Sequence, residues 1–218
     1  MPNHVQNRIT FNGAMKDVER VFDFLKGEDT VIDFNKIIPM PKELNIVSCS
    51  EGTNGMNYLL YLHDKVANAH LKEYYERVES LPEERKNKCI ELGKAYLSNL
   101  GKYGYTTWYE WSYANWGTKW NAYSTYREGD ALYFQTAWSA VPGIVSEIAK
   151  MFPEISLEYE WADEDFGYNA GSGYSEDGRF YYNYCNGNSD EAWELVFDLW
   201  DCREDFEKVD GEWRWKED

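Results

Sequence analysis

The residues able to carry chemistry are scattered along the chain. Cys49, Cys89, Cys185 and Cys202 stand 40, 96 and 17 positions apart, with no Cys-x-x-Cys pair and no histidine at zinc-finger spacing. They read as free thiols of a reducing compartment. His63 and His70 fall seven apart in an expected helix, with Glu73 nearby. Seven residues rise about 10 Å, too far for both rings to share one metal comfortably, so no metal site is expected. There is no dinucleotide-binding glycine loop after a strand, no phosphate-binding Walker loop, no His-Glu-x-x-His and no Gly-x-Ser-x-Gly. Gly167, Gly171 and Gly173 suit a hairpin corner instead. Paired carboxylates say little in a chain with 39 acidic residues. The sequence supports no catalytic residue, cofactor or enzymatic activity.

The carboxylates are informative through their distribution. Against 22 Lys and Arg they leave a net charge of −17, and residues 151–202 hold 13 of them with Arg179 as the only cation. Phosphate backbones and anionic membranes need a basic footprint, so neither nucleic acid nor a membrane is an expected partner. No apolar run approaches the roughly 20 residues of a bilayer span, and Met1-Pro2-Asn3-His4 does not begin like a signal peptide. The expectation is a soluble, cytoplasmic protein. The acidic stretch has few cations close in sequence and must face water or something positive. Glu158, Glu160, Asp163, Glu164 and Asp165 are its candidate partner-binding residues.

A second candidate lies in residues 103–126, where ten of 24 positions are aromatic. The rings form either a seam that glues parts of the protein together or a pocket that stacks on a flat ligand. In the pocket reading, Trp116, Thr118, Lys119 and Trp120 would meet an anionic, nucleotide-like small molecule, with the ammonium and hydroxyl between stacked rings. Both readings remain open.

The elements that must position these residues follow from periodicity. Residues 5–11 read as a strand, with Ile9 and Phe11 on one face, and Asn12-Gly13 turns it into a helix carrying Val18, Val21, Phe22 and Leu25. A strand over 31–38 stops at Pro39-Met40-Pro41, and 48–57 read as a loop. Two helices follow. The first uses Val66, His70, Tyr74 and Val78, and the second runs from a capping box at Ser80-Leu81-Pro82-Glu83 to Gly101. After Gly129-Asp130 come a strand over 131–138, a helix opened by Pro142 and a half-buried strand over 155–161. A hairpin at Asp177-Gly178 leads into 179–184, then a helix capped by Ser189, then 206–209 and 212–215 around Asp210-Gly211. From residue 131 on, this spells β-α-β twice. The fold class is α+β. A ferredoxin-like antiparallel sheet with helices on one face would occupy 111–218, and an α/β portion with a helical hairpin would occupy 1–110.

Several segments resemble the YubB-type family of phage and plasmid proteins: Met1-Pro2-Asn3, Asn7-Arg8-Ile9-Thr10, residues 33–41, Trp116-Gly117-Thr118-Lys119-Trp120-Asn121 and residues 134–139. The resemblance spans residue 1 to about 171 and departs at His4, where relatives often have Trp. It implies a ferredoxin-like C-terminal domain and a mobile-element origin, and brings no catalytic residues. The functional expectation is a non-enzymatic acidic binding protein that acts on a host protein, such as a defence component of the anti-CRISPR or anti-restriction type. The competing expectation is a nucleotide-binding sponge built on the aromatic segment.

Overall fold

Val5, Ile9 and Phe11 are buried on one side of the first strand while Arg8 lies on the other, so both faces of that strand are occupied. The structure, a computed structural model, describes residues 3–216. In chain order the elements are β1 (His4–Asn12), α1 (Met15–Leu25), α2 (Phe34–Ile37), α3 (Ser50–His63), α4 (Lys72–Glu79), α5 (Glu83–Tyr103) and α6 (Trp108–Trp116). There follow β2 (Tyr123–Glu128), β3 (Ala131–Ala137), α7 (Pro142–Met151), β4 (Ser156–Asp163), β5 (Gly171–Glu176), β6 (Arg179–Tyr184), α8 (Asp190–Trp200), β7 (Phe206–Val209) and β8 (Glu212–Trp215). Among the described residues no helix is long and apolar enough to cross a membrane.

The chain divides into two units: residues up to Pro39 together with those from Asn115 on, and Met40–Ala114. The boundary at 110/111 drawn from the sequence therefore lies near one end of the second unit, while β1 and α1 join the sheet unit.

That sheet has the order β2-β3-β1-β4-β5-β6, antiparallel at every step. β1 and β2 are parallel with β3 between them, and β3 and β4 are parallel with β1 between them. Two split β-α-β units result, crossed by α1 and α7, which is the ferredoxin-like arrangement within an α+β fold. The second split unit differs from the expected one. Residues 206–209 and 212–215 form a separate two-stranded hairpin, and the N-terminal strand takes the central place. Local periodicity shows that 5–11 is a strand and cannot show which strands it joins across more than 120 residues.

α1 and α7 cover one face. Phe22 meets Phe11 edge to face at 5.3 Å, and the Tyr159 hydroxyl receives the Val141 N–H at 2.9 Å and donates to Asn7 Oδ1 at 2.5 Å. α8 lies on the opposite face. Its Trp193, Val196 and Phe197 pack with Ala162, Ala170 and Phe206, and Trp200 Nε1 donates to the Ala162 carbonyl. Ser189 caps it as expected, accepting from the Ala192 N–H. Asp177-Gly178 turns β5 into β6 with both residues at positive φ, as a tight hairpin requires.

In the second unit the expected loop over 48–57 is mostly helix, because its glycines serve a helix crossing. A Cβ on Gly52 would enter the Tyr96 ring, and one on Gly55 would overlap the Cys89 carbonyl of α5, where Gly93 faces it. Glycines that suggest a loop by type here let two helix backbones approach. His63 closes α3 and His70 lies in a 3-10 turn before α4, so the two do not share a helix face. Ser80 closes α4, its hydroxyl donating to the Arg77 carbonyl, and does not cap α5, which continues past Gly101 to a left-handed Gly104. In the sheet unit the expected strand over 31–38 is broken by Asp33, whose carboxylate accepts the Asn35 N–H and starts α2.

Candidate functional site

Within the aromatic segment, inward and outward residues separate cleanly. Trp116 is 5% exposed, donates its Nε1 to the Ile38 carbonyl at 2.9 Å and meets Phe34 edge to face. Gly117, at φ 77°, redirects the chain. Thr118 is fully buried, and its hydroxyl donates to the Ala137 carbonyl at 2.9 Å and accepts the Ala137 N–H at 3.2 Å, as a strand residue would. Asn121 accepts from the Phe34 and Ala122 N–H groups and donates to Asp33. Trp116, Thr118 and Asn121 thus tie residues 33–38 and the end of β3 together. Lys119 and Trp120 point outward. The ammonium sits 4.6 Å from the Trp120 ring centroid and 4.9 Å from that of Trp138. The structure does not bring the four candidates together around one opening. Trp116 and Thr118 spend their polar atoms on backbone, and Lys119 faces two indoles.

The acidic candidates also divide. Asp163 ends β4 at 4% exposure, and its carboxylate accepts from Asn3 Nδ2, Asn169 Nδ2 and the Asp165 N–H. It organises the turn after β4 and is out of reach of a partner. Glu164 accepts the His4 N–H at 3.0 Å, and both it and Asp165 are exposed beside that turn. Glu158 and Glu160 project from β4 onto the face that α8 only partly covers.

Strand register builds that face in two rows. One runs Tyr126, Tyr133, Arg8, Glu160, Ser172, Asn183, and the other Glu128, Ala131, Thr10, Glu158, Tyr174, Tyr181. Tyr126 stacks on Tyr133 at 4.6 Å, and Tyr174 leans on Tyr181 at 5.6 Å. Between sheet and α8 lies a groove of about 600 Å³ whose lining includes Glu160, Glu191, Glu194 and Asp198 beside Ser172, Asn183, Tyr184 and Cys185. An adjoining hollow of about 360 Å³ includes Glu158, Gly173, Tyr174 and Tyr181.

Arg8 shows what this surface holds. Its guanidinium donates twice to Glu160, at 2.8 and 2.6 Å, and once to Asp198 at 2.5 Å, with the Tyr133 ring centroid 6.0 Å away. Burial works against that charge, but the bonds to Glu160 and Asp198 outweigh it and raise the pKa further. Glu194 pairs with Arg203, while Glu158 and Glu191 form no ion pair among the described residues. Arg8, Tyr133, Glu191, Glu194 and Asp198 were not among the sequence candidates. The available signal was a charged residue at the middle of a strand whose neighbours Asn7 and Ile9 are buried.

The acidic stretch also has more partners than its sequence suggests. Glu154 pairs with Arg20 and Asp190 with Lys208, both cations coming from outside residues 151–202. The Lys208 ammonium holds the Asp190 carboxyl below the usual range. All four cysteines are free, and burial pushes the Cys89, Cys185 and Cys202 thiols up. Among the described residues no three His, Cys, Asp or Glu side chains gather as a metal site would require.

No curated protein matches the chain. A crystal structure of a protein api92 from Yersinia pseudotuberculosis aligns over 87% of this chain and 100% of that one, at 11% identity and a TM-score of 0.45. Residues 115–203, which hold β2 to α8 and most of the acidic groove, match the family model described as the ferredoxin-like domain in Api92-like protein.

Proposed function

We propose that this chain is a non-enzymatic binding protein whose acidic, tyrosine-bearing sheet face takes a basic segment of another protein. The observation that carries the reading is Arg8: the face already grips one guanidinium with two carboxylates beside a tyrosine ring. Around it, Glu158 and Glu191 keep charges that no cation among the described residues neutralises. Carboxylates round a groove attract a cationic partner over a Debye length of about 8 Å at physiological salt and fix its register at close range. The resemblance to YubB-type proteins makes the specific expectation a mobile-element protein acting on a host factor in the host cytoplasm, with a defence component as target. The inward positions of Trp116 and Thr118 count against the nucleotide-sponge alternative.

The test is titration with an arginine-rich peptide and a glutamate-rich peptide of equal length, followed by calorimetry. The basic peptide should bind, weaken about tenfold between about 0.05 and about 0.5 M salt, and weaken similarly in the Glu158→Gln/Glu191→Gln variant. Equal binding of both peptides, or binding indifferent to salt and to those substitutions, would overturn the reading.

A further inference from the structure

We infer that the basic segment enters as a seventh strand, paired along the outer edge of β6. This rests on the proposed function and specifies how the partner is held. β6 closes the sheet order and pairs only with β5 among the described residues. The Cys185 N–H donates to the Ala170 carbonyl at 2.9 Å, so residues 179, 181 and 183 turn their backbone groups toward β5 in the same alternation. Phe180, Tyr182 and Tyr184 consequently present an N–H and a C=O each to the outside.

Arg179 and the end of α7 guard the start of β6, but among the described residues the rest of this edge lacks the protections of natural edge strands. Its register runs unbroken through six pairs, with no proline, lysine or bulge. Tyr181, Tyr182 and Tyr184 are 46, 46 and 55% exposed. An incoming strand would gain a ladder of backbone bonds and three tyrosines to pack on.

The rows beside the edge select what that strand carries. A seventh strand lies about 4.8 Å beyond β6 and about 14 Å from β4. In the row Glu160, Ser172, Asn183 the two side chains nearest the edge are short, leaving a channel into which a long Arg or Lys side chain of the seventh strand can extend toward the acidic groove. In the row Glu158, Tyr174, Tyr181 the same long chain would lie over tyrosine rings, as a cation prefers. Glu191 and Glu194 flank the end of β6 at Tyr184 and Cys185. One face of a strand repeats every second residue, so the partner is an extended segment with Arg or Lys at alternate positions.

The experiment compares an eight-residue peptide alternating Arg with Thr or Val against a same-composition peptide with its arginines in one block. Both are titrated into the full chain and into Tyr182→Pro. Residue 182 gives no ladder bond to β5, so proline there blocks the outer edge and spares the internal pairing. The alternating peptide should bind about tenfold tighter than the block, and Tyr182→Pro should remove that advantage. A readout on the unmodified protein runs beside it: bound peptide should slow amide exchange at Phe180, Tyr182 and Tyr184 and leave Tyr181 and Asn183 as they were. Undiminished binding to a folded Tyr182→Pro, or no new protection at the three outer amides, overturns strand addition. If the Glu158→Gln/Glu191→Gln variant still loses affinity, the proposed function survives that failure; if it does not, both fall.

Discussion

At the β2 edge of the sheet the register slips between Tyr123 and Tyr126, and Ser124 is forced to φ 50°. The residues before α2 also close on it, with the Val31 N–H donating to Thr125 Oγ1. Arg127 clamps the same strand to α1 through two bonds to Glu19 and lies 3.7 Å from the Phe22 ring centroid. At the β6 edge α7 packs against the strand near the Asp177-Gly178 turn, but among the described residues there is no bulge and no ion-pair clamp, and Tyr181, Tyr182 and Tyr184 stand exposed next to an acidic groove. One sheet thus has an edge spoiled for pairing and an edge left fit for it. Since an open edge invites aggregation, its coexistence with unneutralised carboxylates favours a use over an accident: the charge repels a second copy of this acidic chain and admits a basic strand.

The contrast breaks most sharply at Gly171. A Cβ there would collide with the Trp161 indole and the Asn183 carbonyl, whereas one on Gly129, in the β2–β3 turn, meets nothing within 4 Å. Gly171→Ala should cost about 3 kcal/mol through overpacking of the β5–β6 hairpin, and peptide binding should fall with it. Gly129→Ala, which only strains a residue at φ 57°, should cost about 1 kcal/mol and leave binding alone. Denaturant midpoints and titrations of the two variants settle this, and equal losses would mean that the hairpin is not the tightly fitted part.

Arg8 lies between the two edges, on the central strand β1. Removing it leaves Glu160 and Asp198 without their cation, and since the pair is only partly buried the loss should be about 2 kcal/mol rather than that of a fully buried one. The same change vacates two carboxylates for an outside guanidinium. Arg8→Met should therefore lower the denaturant midpoint and raise affinity for the arginine peptide. A drop in both would show that Arg8 shapes the groove rather than competes for it.

Much of this was legible in the sequence, and the misses share a cause. Val18, Val21, Phe22 and Leu25 mark a helix face, Ser189 a cap and Asp177-Gly178 a turn, because each depends on neighbours within a few residues. The central place of β1 depends on pairing with residues more than 120 positions away. Gly52, Gly55 and Gly93 look like loop formers until two helices cross on them. In the candidate sites the residue types misled in a consistent way. Trp116, Thr118 and Asp163 have the right chemistry for ligands, yet each uses it on the protein's own backbone or amides. Glu158 and Glu160 were identifiable from alternation alone, but the face they share with Arg8 and α8 required the register.

The smallest effect lies at the protected edge and is read through pH. Tyr123 opens β2, shares a 2.7 Å hydrogen bond with His4 Nδ1, and has its phenol pushed up to about 12 by burial and then by the Glu164 charge. A group whose folded pKa exceeds its unfolded value of about 10 gives its full stabilisation below the unfolded value and loses it as pH rises toward the folded one. Discounted for partial exposure, that contribution is about 1 kcal/mol. Wild type should thus exceed Tyr123→Phe in stability by a constant margin up to about pH 10, and the margin should shrink as pH approaches 12, measured by urea denaturation across that range. A margin unchanged over the whole range would mean that the phenol ionises as freely as in the unfolded chain.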